Sequence, residues 1–179
     1  WLLFATALEL ITSFKLTHPE FLGDISWLSY GPVKAVQSNA FIFGWGFNSA
    51  FAVGLWIMSR LSRVPVANVS FLSIAGYVWN IGLALGVIGI FRGDMIPVAG
   101  LELPGYVTPF LLVSFAVIGC WSIVAYRHRQ SSDVFVSQWY LLGAFFCFAW
   151  VYSIAQIHLV WAPANGAGQI VAASFYEAG

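Results

Sequence analysis

Apolar residues run along this chain in blocks of about twenty, each closed by a short polar or charged stretch, and that length crosses a bilayer as a helix. An open sheet cannot satisfy its backbone in lipid, so the blocks are expected to be helical throughout. The pattern predicts an all-α, polytopic membrane helix bundle in which residues 1–179 form a single membrane domain. Complete spans are expected at about 32–58, 69–91, 106–126 and 134–161, with Pro32 as a first-turn proline. A partial helix is expected from Trp1 to about Phe14, and another after Pro163 and Gly166. Both ends fall inside apolar runs, no initiator Met is present and no secretory signal is visible, so the chain reads as part of a longer protein.

Composition closes off the soluble classes. The chain is 60% hydrophobic and 8% charged, with a mean hydropathy of +0.85, whereas soluble domains carry roughly 25% charged residues. Nine Trp and sixteen Phe suit lipid-facing helices with aromatic belts. The net charge is zero, with no basic run for nucleic acid and no acidic tail. Charge also sets an expected orientation. Arg60 and Arg63 follow the second helix and Arg127, His128 and Arg129 follow the fourth, whereas Glu20, Asp24, Asp94 and Glu102 lie in the opposite loops. Those opposite loops have only Lys15, Lys34 and Arg92 near the helix ends, so the Arg pairs are expected to be cytoplasmic.

Small and polar residues within the spans suggest helix contacts. Gly82 and Gly86 form a GxxxG step continued by Gly89, which predicts a flat stripe against a neighbouring element. Gly44, Gly46 and Gly54 are expected to do similar work on the second helix. Asn39, Asn48, Asn80 and Gln156 read as interhelical hydrogen-bond partners. Glu9 is either a proton-relay group or a carboxylate paired with a neighbour. His158 is the histidine within a span, whereas His18 and His128 read as loop residues. Cys120 and Cys147 read as buried small residues rather than a disulfide or metal pair. No phosphate-binding loop, CxxC or Ser–His–Asp arrangement occurs. Without CxxCH, any haem would be held without thioether bonds.

Three stretches carry a family resemblance. Tyr30-Gly31-Pro32-Val33-Lys34-Ala35-Val36-Gln37-Ser38-Asn39-Ala40-Phe41-Ile42-Phe43-Gly44-Trp45 resembles the second transmembrane helix of the catalytic subunit of cbb-type haem–copper oxidases. The family pattern there reads approximately Tyr-Gly-Arg-Leu-Arg-Pro-Leu-His-Thr-Asn-Ala, and its His holds the low-spin haem iron. Ser137-Gln138-Trp139-Tyr140-Leu141-Leu142-Gly143-Ala144-Phe145-Phe146 is similar to the opening of a later helix in such subunits. The run from Gly166 to Gly179 is similar to the approach to their copper-binding His. The three occur in the expected order and cover most of the chain.

The departures fall on the ligands. Gln37 stands at the haem-ligand position and Ala178, preceded by Tyr176 and Glu177, at the copper-ligand position. An amide oxygen is a poor ligand for haem iron, and alanine cannot bind copper. Pro32 replaces the first basic residue of the family pattern, and Lys34 is the basic residue that remains, a point charge without the fork of arginine. The resemblance therefore implies a subunit-I-like component of a respiratory terminal oxidase in a bacterial inner membrane. In the family, electrons pass from cytochrome c through haems to a haem–copper site where dioxygen is reduced. Gln37, Lys34, Gly44 and His158 are the candidate positions of a pocket for a non-covalent haem b, and copper is not expected within this segment. Expected partners are lipid, other respiratory membrane subunits, and cytochrome c or a subunit bearing it. A ligand-less subunit that acts as a scaffold or binds a quinone or partner is the alternative. A small transporter is the third reading, disfavoured by the lack of an internal repeat and by the placement of Pro65, Pro97, Pro104 and Pro109 in loops or near helix ends.

Overall fold

A computed structural model gives an all-helical protein. It describes residues 1–22, 24–66, 68–96, 100–130 and 134–161, with side chains as far as Ala155. Among the described residues six α-helices follow one another: α1 (Leu2–Thr17), α2 (Tyr30–Asn39), α3 (Phe47–Ser62), α4 (Val69–Arg92), α5 (Thr108–Arg127) and α6 (Val136–Trp161). A π-helical segment, Ala40–Gly46, joins α2 to α3, so Tyr30–Ser62 is one helical rod of 33 residues. Among the described residues, four helical stretches are long and apolar enough to cross a membrane: Tyr30–Ser62, Val69–Arg92, Gly105–Arg127 and Val136–Ala155. With the outward faces of these stretches also apolar, including Tyr77, Trp56 and Tyr140, the chain is an integral membrane protein.

Helix ends follow local chemistry. α3 stops at Arg63, whose φ of +53° breaks the helix, and the Val64 N–H closes onto the Ser59 carbonyl. α4 ends at Gly93 with φ of +95°, and the Asp94 N–H donates to the Gly89 carbonyl at 2.9 Å. These are left-handed caps, natural for glycine and strained for arginine.

The helices gather into two compact units. The first comprises Trp1–Ala52 and Gly76–Leu111. Its centre is Trp79, fully buried, with the Phe47 and Phe51 rings at 5.5 and 5.0 Å. The indole N–H of Trp79 donates to the Phe43 carbonyl at 2.9 Å, and the Asn48 amide donates to the Gly44 carbonyl. Both acceptors lie in the π-helical segment, where the α-helical ladder is interrupted and side chains supply hydrogen bonds in its place.

The glycine stripe of α4 lies against the stretch from Leu103 to Phe110. A methyl group at Gly82 would come within 2.6 Å of the Phe110 Cβ, and one at Gly86 within 2.6 Å of a Leu103 methyl. At Gly89 it would collide with the Tyr106 hydroxyl and Pro104. The stripe is therefore a close-packing surface, as its spacing suggests. Gly54 makes ordinary contact, at 3.7 Å, with Leu141 and Phe145, whereas Gly46 approaches only the Phe41 carbonyl of its own helix.

The second unit comprises Val53–Ala75 and the described residues from Leu112 onward. Phe115 packs edge-on to Phe145 and stacks on Phe148 with centroids 4.3 Å apart. Buried Ser62 is its polar hub. The Ser62 carbonyl accepts the Gln130 N–H at 3.0 Å and its hydroxyl accepts the Gln138 amide at 3.0 Å. Gln138 also accepts the Phe135 N–H, so one buried amide caps α6 and ties it to the end of α3. Cys120 and Cys147 do not lie in the core: both are exposed on the apolar outer faces of α5 and α6. Lipid solvates a thiol on such a face, so apolar surroundings in the sequence do not require burial.

The packed stripe sets an ordering of stability. Gly82→Ala drives a methyl into the fixed Phe110 Cβ and is expected to cost about 1–3 kcal/mol. Gly76→Ala, with nothing within 4 Å of the added carbon, is expected to be neutral or stabilising by up to about 1 kcal/mol. Thermal unfolding of both variants in the same detergent checks this. Equal midpoints would show that the stripe does not carry the packing.

Candidate functional site

The polar residues of α2 point in two directions. Lys34 and Gln37 are three residues apart, hence neighbours on one helix face. The Lys34 ammonium donates to the Gln37 side-chain oxygen at 3.1 Å and to a Glu9 carboxylate oxygen of α1 at 3.1 Å. The Ser38 hydroxyl adds a longer bond to the same Gln37 oxygen. The Lys34–Glu9 pair is about half exposed, at 42% and 46%. Glu9 is thus a carboxylate paired with a neighbouring helix, half-exposed rather than deep in the bundle.

Asn39 turns inward and is 1% exposed. Its amide donates to the Ala35 carbonyl at 2.8 Å and to a Glu102 carboxylate oxygen at 2.7 Å. Glu102, in the stretch before α5, was not a candidate by sequence. Its loop position suggested solvation, and only tertiary packing brings it to α2. Asn48 and Asn80 exchange amide hydrogen bonds at 3.2 Å, and the Asn80 oxygen also accepts the Trp1 indole N–H. Asn39, Asn48 and Asn80 therefore all bridge elements, as expected of amides in apolar helices. Lys15, buried near the end of α1, donates to the Phe21 carbonyl at 2.6 Å.

Gly44 is buried, and its open side is taken. A methyl there would lie 2.7 Å from Cγ of the Trp1 indole. This glycine makes room for an aromatic ring of the chain itself. His158 lies in α6 beyond the described side chains, as does Gln156, and Tyr176, Glu177 and Ala178 lie outside the described residues. His18 caps α1 beside Phe14, and His128 follows the last residue of α5. Among the described residues, no three His, Cys, Asp or Glu side chains gather where they could hold a metal ion.

The donor set at Gln37 does not fit a haem iron. Its oxygen is an amide acceptor, already accepting a hydrogen bond from Lys34, whereas haem iron takes imidazole, thioether, thiolate or phenolate. The flat surface that Gly44 could offer a porphyrin carries Trp1. The arrangement can pair a carboxylate with a cation and fix helices in register.

Comparison with known proteins finds relatives of the kind that the sequence motifs resemble. The chain is 24% identical over 152 residues to "Cytochrome c oxidase subunit 1 homolog, bacteroid" of Bradyrhizobium diazoefficiens, covering 84% of this chain and 26% of that protein. It is 21% identical over 161 residues to "Cytochrome c oxidase subunit 1 homolog" of Azorhizobium caulinodans, covering 89% and 28%. To "Cbb3-type cytochrome c oxidase subunit CcoN1" of Stutzerimonas stutzeri it is 22% identical over 163 residues, covering 89% and 32%. No family model and no solved structure matches. The chain resembles oxidase subunit 1 divergently over most of its own length, and spans 26% to 32% of the length of these relatives.

The two polar contacts of α2 differ in depth and hence in expected cost. Asn39→Leu removes the hydrogen bond of a buried amide to a carboxylate, and a loss of about 1.5–3 kcal/mol is expected. Lys34→Met removes a half-exposed pair and is expected to cost at most about 1 kcal/mol. Unfolding of the two variants side by side in detergent measures the order, and a larger loss for Lys34→Met would contradict it.

Proposed function

We propose that this chain is a divergent subunit-1-like component of a cytochrome c oxidase-type respiratory complex. In this reading it supplies helical frame and partner contacts, and Gln37 contributes no iron ligand. Its setting is a bacterial cytoplasmic membrane, with the Arg60/Arg63 and Arg127/Arg129 loops on the cytoplasmic side. Its partners are other membrane subunits of the complex and a cytochrome c or a subunit bearing one. Electron transfer and dioxygen reduction belong to the assembled complex.

One observation carries the ligand-less reading: the Gln37 oxygen is held by Lys34, which is in turn held by Glu9. A glutamine in the place of an iron ligand needs other partners, and Lys34 and Ser38 each donate to its oxygen. The likeness to oxidase subunits over 84–89% of the chain supports membership of the complex.

The test is purification of the tagged chain from native membranes in mild detergent. Subunit identification, a reduced-minus-oxidised visible spectrum and a pyridine haemochrome assay follow. Co-purification with oxidase-type subunits is expected. The haem b per tagged chain is expected to stay unchanged in Gln37→Ala, Lys34→Met, Gly44→Ala and His158→Ala. Loss or shift of a b-type signal in Gln37→Ala or His158→Ala would place a rewired haem pocket in this segment. Purification free of every oxidase subunit would sink membership itself.

A further inference from the structure

The second unit carries a feature unrelated to the α2 cluster. An apolar groove of about 420 Å³ runs between the first turns of α4 and the later half of α5. Phe71 of α4 and Val117, Cys120, Trp121 and Val124 of α5 form its wall, and Asn68, just before α4, stands at one end. The groove lies within helices that cross the membrane, so its wall meets hydrocarbon rather than water. Its end at Asn68 is the charged end of the unit. Val117, Cys120, Val124 and Arg127 follow one another at steps of three and four, which places Arg127 on the groove's own stripe, one turn past Val124. Arg127 is exposed and forms no ion pair among the described residues. Arg63, also exposed, lies in the connection that leads to Asn68.

We propose that this groove is a binding site for an anionic phospholipid. One acyl chain lies along Phe71, Val117, Cys120 and Val124. The headgroup phosphate meets the Arg127 guanidinium, with the Asn68 amide as a further donor. An apolar trough with the exposed Arg127 one turn beyond Val124 on the same helix face matches a ligand with a hydrocarbon chain and an anionic head. A transmembrane helix of a partner fits less well. A helix about 10 Å across would fill this volume with roughly one turn, and it offers no anion at the height of Arg127.

Native mass spectrometry of the intact, delipidated chain tests the proposal, with dioleoyl phosphatidylglycerol and dioleoyl phosphatidylcholine as probes. Phosphatidylglycerol is expected to be retained in preference. Arg127→Gln is expected to reduce that preference roughly fivefold, the effect of one cation near an anionic headgroup. Arg92→Gln, at the opposite end of α4, removes equal charge and is expected to leave it unchanged. Ala116→Phe fills the groove from an exposed position and is expected to weaken retention of both lipids, with circular dichroism verifying that the helices remain. Equal retention of the two lipids by the unaltered chain would mean that any hydrocarbon chain suffices, and would overturn the proposal. So would an equal loss in Arg92→Gln, or undiminished retention in Ala116→Phe.

Discussion

A polar side chain inside an apolar helix needs a partner from the protein itself, because lipid offers none. The first unit is organised by that requirement. Glu9 and Lys34 join α1 to α2, Asn39 reaches the Glu102 carboxylate, and Asn48 meets Asn80 between α3 and α4. Each bond is worth only about 0.6–2 kcal/mol, too little to hold the unit together alone. Its effect is selective. An apolar helix surface packs in many registers, but a register that separates Asn48 from Asn80 leaves two amides in hydrocarbon. Polar pairs choose among arrangements that apolar contact makes nearly equal.

The π-helical segment obeys the same requirement at the level of the backbone. Between Ala40 and Gly46 the regular ladder is broken, and the Phe43 and Gly44 carbonyls receive Trp79 and Asn48 as donors. Trp79 serves two needs at once, packing against Phe47 and Phe51 while its N–H reaches Phe43. The distortion is therefore bound up with the core of the unit. It also lies directly after α2, so the register of Gln37 and Lys34 relative to α3 depends on it.

Much of the architecture was legible in the sequence, because length and hydrophobicity alone constrain helices in a bilayer. The α4 glycine stripe could be read from spacing, and so could the bridging roles of Asn39, Asn48 and Asn80. What escaped depends on side chains far apart in sequence. Nothing local marks Ala40–Gly46 as π-helical, since Gly44 and Gly46 read equally well as packing glycines and the indole that bonds the segment comes from Trp79 on another helix. Nothing local brings Trp1 onto Gly44 or links Ser62 to Gln138. The cysteines were misplaced for a different reason. Apolar neighbours imply burial in a soluble protein, but in a membrane protein they serve as well for the lipid-facing surface.

The Gln37 position joins the two halves of this reasoning. A lost iron ligand in an otherwise unchanged pocket would leave a void on one side of α2 and an unpaired polar group facing it. Beside Gln37 the chain supplies contacts of its own. Trp1 occupies the flank of Gly44, and Lys34 bridges Gln37 and Glu9 with two bonds of 3.1 Å. The lysine is suited to this as an arginine would not be. Its compact ammonium directs donors to two separate acceptors, whereas a planar fork is matched to one carboxylate or phosphate. These contacts tie Gln37 into the hydrogen bonding of α1 and α2.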